Sequence, residues 1–339
     1  DNPAFYVRKD GCIQVFYTKH NTEKLVRSFV STHPEDISQW EPVDHIQTHA
    51  KSTYTLVFRL SAENDRVYLF TRALNYHPSA LRSENDGKTW SEPVQLINVG
   101  RGRPYQRMVS DGISKIHVAF TTGHPRNEKN NSVYYFYYEN GACYKADGTF
   151  IKKWKDLPVI HTEADLVYDG STNGRAWTWD LAIGTDGNPV VAHGVYPQEN
   201  DHRYYYARWN GAKWSSKEMT GVGRWFPETP KGAKEREPHY SPGYSLDHHD
   251  PSIVYLSKHI DEDTGQIEVQ RWKTQDGGES WTSKSITSGS DGLNVNPVGN
   301  WSFPYDSIPR QKMILWMNGR YRHYTDYSTG IRYWIEDEA

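Results

Sequence analysis

The sequence predicts an all-β chain, most of a β-propeller, and three observations carry that prediction. Amphipathic helical periodicity is scarce, while short β-rich runs and turn residues dominate. A four-strand unit recurs along the 339 residues. Two octapeptides have the form of a known propeller turn.

The second strand of the unit is the easiest to follow. It reads Ile13-Gln14-Val15-Phe16-Tyr17, then Val67-Tyr68-Leu69-Phe70, then Ile116-His117-Val118-Ala119-Phe120. The next three copies are Pro189-Val190-Val191-Ala192, Ile253-Val254-Tyr255-Leu256 and Met313-Ile314-Leu315-Trp316. Successive copies lie roughly 50 to 75 residues apart, within the range of long propeller repeats. Asp-Gly turns precede several of them, at Asp10-Gly11, Asp111-Gly112 and Asp186-Gly187. Six blades are counted. Propellers have about four to eight, and the chain starts inside a strand, so the expectation is one propeller domain over 1–339 lacking an N-terminal blade, seven-bladed when intact. A β-sandwich would leave the recurring unit without a cause.

The two octapeptides are Ser83-Glu84-Asn85-Asp86-Gly87-Lys88-Thr89-Trp90 and Thr274-Gln275-Asp276-Gly277-Gly278-Glu279-Ser280-Trp281. Both resemble the Asp-box, S/T-x-D-x-G-x-S/T-W, with Asn85 standing where Asp is usual. The acid or amide bonds turn backbone, Gly accepts positive φ, and Trp tucks against a neighbouring strand. These are fold markers rather than catalytic groups.

Composition narrows the function. A net charge of −3 with 24% charged residues gives no case for nucleic acid or an anionic membrane as partner. No apolar run approaches the ~18 residues of a membrane-spanning helix. Aromatics reach 14%, with 24 Tyr and 13 Trp against 10 Phe; they suit half-buried strands and, in some places, sugar-facing grooves. Two cysteines, Cys12 and Cys143, are too few for a disulfide scaffold.

A propeller gathers its second-to-third-strand loops at one end. Here those loops carry Lys19-His20-Asn21, then Arg72 with Tyr76-His77-Pro78, then Gly123-His124-Pro125-Arg126-Asn127. They continue with His193 through Tyr196 to His202-Arg203, then Lys258-His259, then Arg320, Arg322 and His323. Starts of inner strands add Arg103-Pro104-Tyr105, Arg175-Ala176-Trp177 and Glu237-Pro238-His239-Tyr240. One loop histidine is ordinarily a solvated group; the same chemistry in every blade makes a cationic and imidazole ring suited to an acidic sugar. Asp247-His248-His249-Asp250 looks like a metal cluster, but neighbours on a strand point to opposite faces, and a structural turn is the better reading.

At these loops the sequence resembles the BNR-repeat seven-bladed propellers that include ulvan lyases and related rhamnose–glucuronate enzymes. Phe120–Asn127, Arg175–Leu181, Asp201–Trp209, Arg236–Tyr240, Asp247–Ser257 and Gly319–Tyr327 carry the resemblance. It implies a secreted or periplasmic polysaccharide lyase, monomeric, acting on an acidic polysaccharide or oligosaccharide such as ulvan or gum arabic. His124 resembles the family's catalytic-loop histidine, and His193 stands near a fourth-blade position where the family often has Tyr.

Such a lyase removes the C5 proton of a uronate and expels the sugar at O4, so it must neutralise the carboxylate and supply a base and an acid. The expected set makes His193 base or acid with Tyr196 or Tyr204 as complement. His124 would polarise the carboxylate and Arg208 would neutralise it. Arg72, His77, Arg126, Arg175, His202, His239, Arg320 and Arg322 would bind sugars. No cofactor is required, although a structural or carboxylate-neutralising calcium or zinc ion is compatible. Two alternatives stay open: a rhamnosidase- or sialidase-like hydrolase, and a non-catalytic binder of acidic glycans.

Overall fold

The computed structural model of the chain describes residues 3–198, 200–223, 242–261, 265–299, 312–323 and 325–336. Among them the helical elements are three-residue 3-10 turns at Ser61–Glu63, Trp154–Asp156 and His161–Glu163; the rest of the regular structure is strand. The strands form six successive antiparallel blades of the propeller type, each following its chain order. All six predicted second strands are present, as Ile13–Tyr17, Arg66–Leu74, Lys115–Thr121, Pro189–Gln198, Ile253–Asp261 and Met313–His323.

Two compact units divide these blades: Asp1–Val118 with Phe136–Asp165, and Ala119–Tyr135 with Leu166–Ala339. In the first unit, blade 1 runs Ala4–Val7, Ile13–Tyr17, Leu25–Ser31, Trp40–Pro42, and blade 2 runs Leu56–Leu60, Arg66–Leu74, His77–Ser83, Val94–Gln95. Alternation buries one face of Ile13–Tyr17, and Tyr6, Phe16, Val26, Val57, Leu69 and Leu81 pack into one core.

In the second unit, blade 4 runs Arg175–Ile183, Pro189–Gln198, Asp201–Trp209, Trp214–Gly223. Its second strand is buried from Pro189 to Tyr196, as a strand covered on both faces must be. Blade 5 follows with Tyr244–Leu246, Ile253–Asp261, Gln266–Lys273 and Thr282–Ser285, and blade 6 has three strands, Leu293–Gly299, Met313–His323 and Asp326–Ile335. Val190, Ala192, Tyr204, Tyr206, Tyr244, Leu246, Val254 and Leu256 form the core between blades 4 and 5.

Both octapeptides join the third and fourth strands of a blade. In the first, the Ser83 hydroxyl accepts from the Gly87 N–H, and Asn85 Oδ1 accepts from the Thr89 N–H. In the second, the Thr274 hydroxyl accepts from the Gly278 N–H, and Asp276 Oδ1 accepts from Glu279 and Ser280. Gly87 and Gly278 sit at φ 76° and 96°. Trp90 meets Phe16 of blade 1 edge-on at 5.5 Å, and Trp281 meets Tyr206 of blade 4 edge-on at 5.2 Å. Each tryptophan thus staples its blade to the preceding one. Cys12 and Cys143 are unpaired thiols, and burial pushes Cys143 up to about 12.

Candidate functional site

The loop around His124 is the most constrained of the predicted loops. Asn127 and Glu128 donate their N–H groups to the His124 carbonyl, making one tight turn. Asn131, fully buried, clamps the loop from behind. Its Oδ1 accepts from the Gly123 N–H at 2.7 Å, and its Nδ2 donates to the carbonyls of Gly123 and Ala176 at 2.9 and 2.6 Å. The Ala176 N–H returns a bond to the Asn131 carbonyl. Arg175 Nη1 donates to the Pro125 carbonyl at 2.8 Å, and the His124 ring lies 4.7 Å from that of Trp177.

The His124 imidazole is half-buried, and its Nδ1 accepts from the Arg126 N–H at 3.0 Å. In the neutral ring the proton therefore sits on Nε2, which can only donate.

Register in blade 4 places Arg175 opposite Tyr196, Trp177 opposite Gly194, and Thr178 opposite His193. Gly194 pairs with Tyr204 and His193 with Tyr205 on the other side. A Cβ on Gly194 would lie 2.9 Å from His202 Nε2, 3.2 Å from Trp179 Nε1 and 3.2 Å from the Tyr196 hydroxyl. The missing side chain lets three hydrogen-bonding groups converge on one point. The Tyr196 and His202 rings are 4.6 Å apart. Neither nitrogen of His202 has a partner among the described residues, and burial pushes its pKa down to about 3, with the like charge of His259 acting in the same direction. His202 is a neutral imidazole with an open nitrogen beside a phenol.

The structure separates other predicted partners. His193 is three residues before Tyr196 on a strand and so faces the opposite side. It is fully buried between Tyr168 and Tyr205, with ring distances of 5.0 and 5.5 Å, and Nε2 lies 3.2 Å from the Ser216 hydroxyl. Burial lowers its pKa to about 3. The expected pairing of His193 with Tyr196 or Tyr204 is thus corrected by strand alternation. Tyr204 is also fully buried and donates to the Ser257 carbonyl at 3.2 Å while stacking on Tyr244 at 4.0 Å.

Arg208 is a second correction. Its register partner is Val190, six residues from Tyr196, or roughly 20 Å along the strand. It donates to Asp186 Oδ2 at 2.6 Å, in the Asp186-Gly187 turn. The arginine beside His124 is Arg175.

Of the predicted sugar-binding residues, Arg126 is half-buried on the His124 loop. Arg320 is exposed and paired with Asp326 at 2.6 Å, and Arg322 is exposed on the same strand. In the first unit Arg72 is buried and donates to the Pro104 carbonyl, while buried His77 bonds the Asn75 carbonyl through Nδ1. His239 lies outside the described residues.

Asp247 and Asp250 form the predicted turn. Asp247 Oδ1 accepts from the N–H groups of His249 and Asp250, and Asp250 Oδ1 accepts from Ser252. His248 Nε2 lies 3.1 Å from both oxygens of buried Asp180. Burial alone would push His248 down, but the Asp180 charge and hydrogen bond, helped by Asp247, hold it above the usual imidazole value. A Tyr–Glu pair also exists, Tyr68 with Glu63, but Tyr68 is fully buried and Glu63 is bonded to Tyr138 and Arg66 as well. Among the described residues no three His, Cys, Asp or Glu side chains group as metal ligands.

Residues 1–221 match the BNR repeat-containing family. An ulvan lyase from Nonlabens ulvanivorans is 26% identical over 84% of this chain. A PL25 ulvan lyase from Pseudoalteromonas sp. (strain PLSV) is 22% identical over 92% of it. The chain spans 64% and 67% of the lengths of these two relatives. A solved structure of a PL25 ulvan lyase bound to -[GlcA(1-4)Rha3S]- superposes with a TM-score of 0.69 at 18% identity, covering 98% of this chain and 78% of that one. The polysaccharide lyase Uly1 superposes at 0.57 and 14% identity, covering 98% and 76%.

Proposed function

The chain belongs to the BNR repeat-containing family, and from that premise we propose that it is a polysaccharide lyase. In this reading it cleaves at O4 of a uronic acid, in a rhamnose–glucuronate linkage of the ulvan or gum arabic kind, by β-elimination. The single observation that carries the reading is the clamped His124, with its proton on Nε2 and Arg175 bonded to the next residue of its loop. The names of the relatives agree with it.

His124 Nε2–H and the Arg175 guanidinium bind the uronate carboxylate, lowering the barrier to loss of the C5 proton. Tyr196, opposite Arg175, is the proton-transfer group, and His202 stands beside it as a neutral hydrogen-bonding group that orients the phenol. His202 acts through Tyr196 rather than on the sugar. Arg72 and His77 in the first unit, and Arg126, Arg320, Arg322 and His239 in the second, bind acidic or sulfated sugars.

The reaction needs no cofactor, and a calcium or zinc ion is confined to a supporting role. The protein acts as a secreted or periplasmic monomer. The test is to mix the chain with ulvan and with gum arabic, with and without chelator, and follow the ultraviolet absorbance of the C4–C5 double bond. Absorbance rising in both conditions is expected. New reducing ends without absorbance would replace the lyase by a hydrolase.

A further inference from the structure

The first unit holds a charged group that the elimination chemistry leaves unexplained. Arg72 is only 6% exposed, yet no carboxylate lies within ion-pair distance of it among the described residues. Its guanidinium is held instead by rings: Tyr105 at 4.4 Å and Tyr54 at 5.1 Å from ring centre to Cζ. One nitrogen, Nη2, donates to the Pro104 carbonyl at 2.6 Å. Two residues before Tyr105, exposed Arg103 lies over the Tyr76 ring at 4.4 Å. A buried cation without a counter-charge is costly unless something anionic comes to it.

The backbone adds a second, independent sign. Asn75 and Tyr76 have φ of 47° and 61° between the paired residues Leu74 and His77, so they form the two-residue hairpin turn that ordinarily ends in glycine. Tyr54 has φ 56°. Two of the three tyrosines in this frame therefore sit in the left-handed region, where a bulky side chain is disfavoured. Aromatic rings are kept where the turn itself asks for glycine, and such outliers gather at ligand sites.

We propose that Arg72 and Arg103, framed by Tyr54, Tyr76 and Tyr105, are a binding site for an anionic sugar. The arginines take a sulfate or carboxylate oxygen through forked hydrogen bonds, and the tyrosines cover the apolar face of the ring. The site rests on the acidic-polysaccharide reading above and names, in the first unit, the residues that hold the polymer.

The test is affinity electrophoresis of the full chain through gels holding ulvan, desulfated ulvan or carboxyl-reduced ulvan. Wild type is compared with Arg103→Gln, Tyr76→Gly and Arg72→Gln. Arg103 is exposed and Tyr76→Gly relieves the turn, so both of those variants keep the fold even if Arg72→Gln does not. Loss of one charge-assisted contact should weaken retention about tenfold. Wild type losing retention on desulfated polymer identifies the anion as sulfate, and on carboxyl-reduced polymer as carboxylate; either supports the site. Arg103→Gln and Tyr76→Gly retained like wild type would overturn it, as would wild type unretarded in every gel. Unsaturated product formed with those two variants bound like wild type leaves the lyase reading standing alone. No product, with retention lost only in the variants, leaves the binding site standing alone.

Discussion

The arginine frame of the first unit and the histidine group of the second solve opposite problems with polar side chains. Arg72 lies among tyrosine rings, with no acid to balance it among the described residues. His193 and His202, both fully buried, give up their charge, and burial holds each near a pKa of 3. The first arrangement favours an incoming anion; the second keeps its imidazoles neutral, as hydrogen-bonding groups rather than charges. Backbone differs in the same sense. The first region holds Tyr54 and Tyr76 at positive φ, whereas the His124 loop gets its precision from the hydrogen bonds of Asn131.

The comparison breaks first at His124. His124→Ala should lower the rate of unsaturated product formation by at least about 100-fold, while retention on ulvan gels changes little. A variant with full activity would remove His124 from the chemistry.

Asn131→Ala removes three hydrogen bonds to buried backbone groups, although the Gly123 carbonyl keeps the Thr121 hydroxyl, and should cost about 3 kcal/mol in denaturant unfolding. The surviving folded protein should show reduced turnover as the His124 loop loosens. An unchanged unfolding midpoint would mean that the clamp is not what holds the loop.

The neutral imidazoles give the next effect. Their folded pKa values lie below the unfolded one, so an unfolded chain binds protons that the native chain refuses. The stability they contribute is present above about pH 6.5 and declines below it, by about 1.4 kcal/mol per pH unit for each ring. His117, lowered to about 4 by burial, acts in the same direction from the first unit. Thermal melts from pH 7 to pH 5 should fall steeply, and His193→Gln with His202→Gln should flatten the slope. The smallest effect belongs to the strained turn. Tyr76→Gly should leave the protein unchanged or about 1 kcal/mol more stable, and a loss would show that the tyrosine is there for packing.

Much of this was legible along the chain. Each second strand announced itself by a β-branched or aromatic run, three of them after an Asp-Gly turn, and both Asp-boxes carried their own hydrogen-bond donors and acceptors in eight residues. The separation of His193 from Tyr196 was legible too, since three residues on a strand invert the face; reading them as one loop hid it. Other features were not. Asn131 closes on Gly123 and on Ala176, 45 residues away, and nothing near Asn130-Asn131-Ser132 marks that partner. Arg208 has the right residue type for a uronate, but its Asp186 partner becomes a neighbour only through the strand register.

By itself the sequence determined the all-β repeat, the turns that punctuate it and the supply of histidine, arginine and tyrosine near the strand ends, because those depend on local periodicity and side-chain chemistry. Only the tertiary structure decided which of those groups are charged, which are enclosed and which meet. Burial, cross-strand register and long-range hydrogen bonds are properties of chain segments brought together. They left Arg72 without a carboxylate partner among the described residues, made His202 a neutral neighbour of Tyr196, and made Arg175 the arginine beside His124.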